Sequence, residues 1–180
     1  MTQLETVTEE LKQATKRAVE IGRRLPADDF VKPPAPKRWS PAECIEHLNL
    51  TSKAFLARIE PGVRELRETS QHSPGRYRLE WKARVLRWLL EPPARMRIPT
   101  PAAFQPVQLD NPARVIDDFV GLQDRLLEQI RLADGLALDR YLIASPFSEN
   151  VKYNLYAAFV LIAVHERRHL WQAARAGALE

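Results

Sequence analysis

Two histidines four residues apart near the end of the chain, His165 and His169, open the chemical reading. At about 100° per residue, a helix carrying Leu155, Ala158, Ile162, His165, His169 and Gln172 sets all six on one side. The imidazoles continue an apolar stripe that should face the interior. Rings at this spacing stand side by side, roughly the geometry that two ligands of one metal ion need. The alternative is a pair of hydrogen-bonded core histidines, because buried polar groups must find partners.

The segment His165-Glu166-Arg167-Arg168-His169 also has the His-Glu-x-x-His form of zinc metalloproteases. Those enzymes take a third ligand downstream. Only eleven residues follow His169, none is a histidine, and the only acid among them is Glu180. Trp171-Gln172-Ala173 also lacks the glycine and histidine of the metzincin extension. If a metal is bound, its third ligand lies upstream. His47 is the candidate, sharing one helix face with Cys44, Leu48, Thr51 and Phe55. By itself it reads as a core histidine. Beside the later pair, three imidazoles from two helices would close a facial metal site. His72 falls in the loop Gln71-His72-Ser73-Pro74-Gly75 and stands outside this set.

All-nitrogen ligation suits Zn, Ni, Co or Cu and argues against Mg or Ca. Such an ion lowers the pKa of a water or a thiol that reaches it. Glu166 lies about 60° around the helix from His169, so it could act as a general base or orient a ligand. Its alternative is a salt bridge to an arginine on a neighbouring helix. Glu43 precedes His47 by one turn, but a capping role already accounts for it. No Ser-His-Asp arrangement and no glycine-rich phosphate loop is present, and nothing marks Cys44 as a catalytic thiol.

Helices must position these groups. Leu4, Val7, Leu11, Ala14, Ala18, Ile21 and Leu25 recur at steps of three and four, predicting a first helix that ends near Pro26. Pro33, Pro34 and Pro36 exclude regular structure from 32–38. In Trp39-Ser40-Pro41-Ala42-Glu43, Ser40 is an N-cap, Pro41 takes the first helical position and Glu43 completes a capping box. The helix that follows carries His47 and is kinked or ended at Pro61-Gly62, with another turn or two over 63–70. A basic helix is expected over 76–90, with Leu79, Ala83, Leu86 and Leu90 as its apolar stripe. Residues 92–112 hold six prolines and no period, which suggests either a functional loop, walling a pocket through Phe104, or a passive crossover. Ile116, Phe119, Leu122, Leu126 and Ile130 mark the third core helix, closed by Asp134-Gly135. Residues 136–150 read as irregular, with no alternating strand pattern. The predicted fold is all-α: an antiparallel four-helix bundle with long Pro-rich connections and one extra shorter helix.

A chain of 180 residues, 45% hydrophobic, is expected to form one domain over 1–180. One cysteine excludes an internal disulfide and fits a reducing cytoplasm, and the first residues lack the pattern of a signal peptide. The apolar run from Leu155 to Val164 is too short to span a bilayer, so no membrane partner is expected. The charge of +4 and pI near 9.4 are mildly basic. The densest basic segment, Arg76 to Arg97, includes Trp81 and Trp88 and reads as a solvated face ahead of a phosphate-binding patch, so nucleic acid is not the expected partner.

Trp39-Ser40-x-x-Glu43-x-x-x-His47-Leu48, followed far downstream by His165-x-x-x-His169, resembles the DinB-like superfamily over nearly the whole chain. The resemblance implies a four-helix bundle, often a homodimer, holding a divalent metal, commonly zinc or nickel, through His47, His165 and His169. Relatives include S-transferases and an isomerase that use the low-molecular-weight thiols bacillithiol or mycothiol, and others described only as metal-dependent hydrolases. The expected function is a cytoplasmic metal-dependent hydrolase or thiol S-transferase acting on a small-molecule substrate, with Glu166 as its catalytic acid-base. The competing expectation is a non-catalytic bundle whose metal is structural or binds a ligand.

Overall fold

The computed structural model describes residues 1–73, 76–93, 99–106, 109 and 111–179. Helix α1 (Gln3–Arg24) starts from a capping box in which the Thr2 hydroxyl accepts from the Glu5 amide and the Glu5 carboxylate accepts from the Thr2 amide. Its apolar stripe from Leu4 to Ile21 is buried as the spacing predicts. A short α2 (Ala27–Val31) follows and buries Phe30. Five residues carry too little periodicity for sequence reading to find it.

Helix α3 (Pro41–Glu68) begins with the predicted Ser40–Glu43 capping box. It runs through Pro61 and includes residues 63–68 as one element, so Pro61-Gly62 does not end it. Proline removes one helical hydrogen bond at Pro61. Ile59, Gly62, Val63 and Leu66 are buried on both sides of it, and that packing holds the helix together. At Gly62 a Cβ atom would sit 2.8 Å from the Tyr141 ring and 2.9 Å from Leu155, so this close approach excludes a side chain.

Helix α4 (Trp81–Leu90) is shorter than the expected basic helix, because residues 76–80 lie outside any helix. A 3-10 turn at Ala102–Phe104 and another at Pro112–Arg114 lead to α5 (Val115–Leu132), with Gly135 in the left-handed region at φ 74° beyond its end. Arg95 and Arg97 of the basic segment, and parts of the 92–112 connection, lie outside the described residues. The chain ends with α6 (Leu155–Ala176), capped by the Asn154 side chain on the Ala157 amide.

The expectation that 136–150 holds no strand is wrong. Strand β1 (Leu142–Ser145) pairs antiparallel with β2 (Ser148–Asn154), Ile143 facing Tyr153 and Leu142 facing Asn154. Sequence reading missed the hairpin for a physical reason. Along β2 only Tyr153 and Asn154 are buried, so no alternation develops, and the turn Pro146-Phe147 lacks the glycine of a standard two-residue hairpin. Contacts with α3 and α6 support the hairpin instead. The fold is therefore mostly helical with a small two-stranded sheet, rather than all-α.

Helix α3 packs on both α5 and α6, and α1 packs on the same two helices. The core falls into two apolar clusters. One holds Leu11, Phe55, Leu126, Phe159 and Ile162; the other holds Ile21, Cys44, Leu48, Phe119 and Leu170. Between them along α3, α5 and α6 lie the buried polar side chains of His47, Asn49, Ser52, Gln123, His165 and Glu166. Among the described residues, no helix is long and apolar enough to cross a membrane.

Candidate metal centre

The three inward histidines meet in this polar layer. His47 comes from the second turn of α3, and His165 and His169 come from one face of α6. Each offers a ring nitrogen, and these ligand atoms all lie within 4.8 Å of one another. His47 and His165 are buried, and His169 is half-buried. Ring centroids are 5.1 Å apart for His47–His165, 4.4 Å for His47–His169 and 4.5 Å for His165–His169.

The contact of His47 with the 92–112 connection sets its chemistry. Its Nδ1 lies 2.7 Å from the carbonyl oxygen of Phe104. A carbonyl only accepts, so the Nδ1 carries the proton and the lone pair sits on Nε2. That Nε2 lies 3.3 Å from Nε2 of His165. Two nitrogens each about 2.0–2.1 Å from one ion in a tetrahedral arrangement are separated by about 3.3–3.4 Å. That pair has the spacing of two ligands of one metal ion, and the third histidine offers a ring nitrogen within 4.8 Å of both. A hydrogen-bonded histidine pair also explains the 3.3 Å contact, but it makes no use of the third ring, His169, whose centroid lies 4.4 Å from that of His47 and 4.5 Å from that of His165.

Burial, opposed by the Phe104 bond, lowers the pKa of His47. Burial and then the neighbouring histidines and Arg168 hold His165 and His169 well below the usual imidazole range. All three rings are thus neutral near pH 7, the form that ligates.

Aromatic rings wall the cluster. Trp39 lies 5.0 Å from the His47 ring and 6.1 Å from the His169 ring. On another side Phe147, at the hairpin turn, lies 5.5 Å from His165 and 5.0 Å from Phe104. Phe104 is itself buried, so the Ala102–Phe104 turn of the 92–112 connection walls the site, as one of the two expected readings has it.

Glu166 is fully buried, but its hydrogen bonds run to α5 and α3. Its Oε1 accepts from Gln123 Nε2 at 2.8 Å and from the Ser52 hydroxyl at 3.5 Å, while Oε2 has no hydrogen-bond partner. Among the described residues no arginine or lysine pairs with it, which removes the expected salt-bridge alternative. Burial, partly offset by the bonds from Gln123 and Ser52, pushes its carboxyl up to about 8. Glu43 serves the cap, its carboxylate accepting from the Ser40 amide at 2.7 Å. Cys44 is buried and its thiol is pushed far above the usual range by burial, so it stays protonated. His72 is exposed and forms an isolated β-bridge with Leu136.

Sequence reading missed Phe147, Ser52 and Gln123. The two polar residues left a readable trace, since each sits one turn from a stripe residue, Ser52 after Leu48 and Gln123 after Phe119. Phe147 left none, because its place depends on a hairpin that the pattern hides.

A mostly helical fold with three converging histidines defines a candidate metal-binding protein of the helical type. The family model of the DinB superfamily matches residues 10–173, and the chain belongs to that superfamily. Among curated proteins and among solved structures nothing matches it.

Proposed function

We propose that this chain is a divalent-metal-dependent enzyme, a hydrolase or a thiol S-transferase, that acts on a small-molecule substrate with His47, His165 and His169 as metal ligands. The observation that carries the reading is the 3.3 Å separation of two Nε2 atoms, one of them left with its lone pair because Nδ1–H of the same ring donates to the Phe104 carbonyl. Zinc or nickel suits three neutral imidazoles. A bound ion supplies Lewis-acid chemistry, lowering the pKa of a water or of a low-molecular-weight thiol of the bacillithiol or mycothiol type.

The chain's own groups do the rest in this reading. Phe104 holds His47 in one tautomer. Trp39 and Phe147 shield the histidines and present aromatic walls to the substrate. Glu166 holds a proton at neutral pH and exchanges it with the reacting group. Two helices, α1 and α3, each packed on both α5 and α6 support an antiparallel four-helix bundle in one domain over 1–180. Membership of the superfamily supports a homodimer, and the single cysteine supports a cytoplasmic location.

One observation favours a second reading, a non-catalytic site that holds its metal without turnover. Both hydrogen bonds of Glu166 go to Gln123 and Ser52, as they would if the residue only braced the helices.

Metal analysis of protein purified without added metal tests the ligand set. About one transition-metal ion per chain is expected, lost in His47→Ala, His165→Ala and His169→Ala and kept in His72→Ala. Full occupancy in His47→Ala would remove the three-ligand site. Thiol-transfer and hydrolysis assays on fully loaded protein then separate the two readings, since the second predicts occupancy without turnover.

A further inference from the structure

Helix α4 is apolar on two opposite sides. Its inner side, Ala83, Leu86 and Leu90, packs into the core cluster shared with α6. Its outer side carries Trp81 at 69% exposure, Val85 at 47% and Trp88 at 58%. At about 100° per residue these three fall within an arc of about 60°, so they form one stripe. A helix at the surface of a soluble protein needs only one apolar stripe, and a second with two tryptophans marks a surface that meets something.

Charge narrows what it meets. Every charged residue within α4, Lys82, Arg84 and Arg87, is basic, and Arg76 and Arg78 stand exposed just before it. The Lys82 ammonium lies 5.9 Å from the Trp81 ring. Arg87 approaches Glu10 of α1 at 4.0 Å, which leaves Lys82 and Arg84 as the cations flanking the stripe. Glu91, just beyond the helix, is engaged by Arg167 at 2.9 Å.

A second copy of this chain fits poorly. Antiparallel pairing of two α4 stripes sets Lys82 opposite Arg87 and Arg84 beside its own counterpart, and the nearest acids, Glu80 and Glu91, lie at the two caps and not between them. Single-stranded nucleic acid fits poorly as well. Tryptophans seven positions apart lie about 10 Å apart along the axis, about three times the spacing of stacked bases. A bilayer interface needs only that the rings lie at one depth with cations beside them. Tryptophan favours that depth, and Lys and Arg favour anionic headgroups.

We propose that Trp81, Val85 and Trp88, flanked by Lys82 and Arg84, form a docking face for an anionic lipid surface, with α4 lying along the headgroups. The contact is peripheral, and it amends the sequence expectation that the chain has no membrane partner. It stands apart from the metal centre, because none of the five residues belongs to it.

The test is co-sedimentation with vesicles of phosphatidylglycerol and of phosphatidylcholine, with tryptophan emission recorded. Binding to phosphatidylglycerol should be at least about tenfold tighter, weaken as salt rises and shift the emission to the blue. Trp81→Ala with Trp88→Ala, and separately Lys82→Glu with Arg84→Glu, should each lower that binding by about tenfold or more with an unchanged helical signal. Should the tryptophan pair disturb folding, Val85→Asp probes the same stripe. Equal binding to both lipids overturns the proposal. So does full phosphatidylglycerol binding by a folded stripe variant, which would reduce the effect to net charge. Self-association abolished by the stripe substitutions, without vesicle binding, would assign the face to a second copy and overturn it too.

Discussion

The Nδ1–H of His47 donates to the carbonyl oxygen of Phe104 at 2.7 Å, across 57 positions of sequence. A main-chain atom of a proline-rich connection thereby chooses which nitrogen of a buried histidine is left bare. Partners of this kind fix the orientation and basicity of a metal-ligating imidazole. Phe104→Ala keeps the carbonyl but removes the buried ring that anchors it against Phe147. Metal affinity should fall by about 10- to 100-fold while the helical signal stays unchanged. Competition titration with a chromophoric chelator measures it. An affinity equal to the wild type would mean that the turn is held without the Phe104 ring.

Removal of the metal should leave the fold intact. Two apolar clusters, rooted in α1, α3, α5 and α6, flank the polar layer, and burial contributes about 25 cal/mol per Å² without any ion. Far-UV circular dichroism before and after exhaustive chelation checks this. Collapse of the helical signal at room temperature would place the protein with domains that fold only around a metal.

Glu166 separates by its substitutions. Glu166→Gln preserves shape and, at neutral pH, the uncharged state of a carboxyl pushed up to about 8. It should therefore retain metal and stability. If Glu166 exchanges a proton with substrate, turnover should fall by about 10²-fold or more. Glu166→Ala should instead cost about 2–4 kcal/mol of stability, because it opens a cavity and leaves the Gln123 amide without its acceptor. Wild-type turnover in a fully metallated Glu166→Gln would restrict this residue to bracing the core.

Tyr153 makes the protein sensitive to high pH. Burial, opposed by a bond with Ser145 and the charge of Arg58, pushes its phenol up to about 12. An unfolded tyrosine ionises near 10. Between about pH 10 and 12 the unfolded chain has released this proton while the folded chain keeps it, so stability falls as pH rises. The slope is about 1.4 kcal/mol per pH unit, and below about pH 9 the group has no effect on it. Urea unfolding of Tyr153→Phe beside the wild type isolates this contribution, and the variant should lose less stability across the window. Identical pH slopes for the two proteins would show that the phenol titrates as it does in the unfolded chain.

The long helices and the inward histidines were legible in the sequence, because both are written in local code. Apolar residues at steps of three and four fix the buried faces of α1, α5 and α6. Ser40, Pro41 and Glu43 fix the start of α3, and spacing alone puts His165 and His169 on one side of α6. The sequence also supports the family, since its motif spans α3 to α6. What it could not encode locally was any contact whose cause lies in another element. Pro61 ends helices by local rules, yet packing on both sides carries α3 through it. The β1–β2 hairpin has no alternating pattern because one of its strands is exposed along most of its length. Glu166 looked like a partner for the histidines or for an arginine. Only the packing of α3 and α5 against α6 turned it to Gln123 and Ser52, since a side chain on the flank of a helix takes the neighbour that the fold supplies. The tautomer of His47 was likewise decided by a carbonyl, a group that every residue carries and no sequence distinguishes.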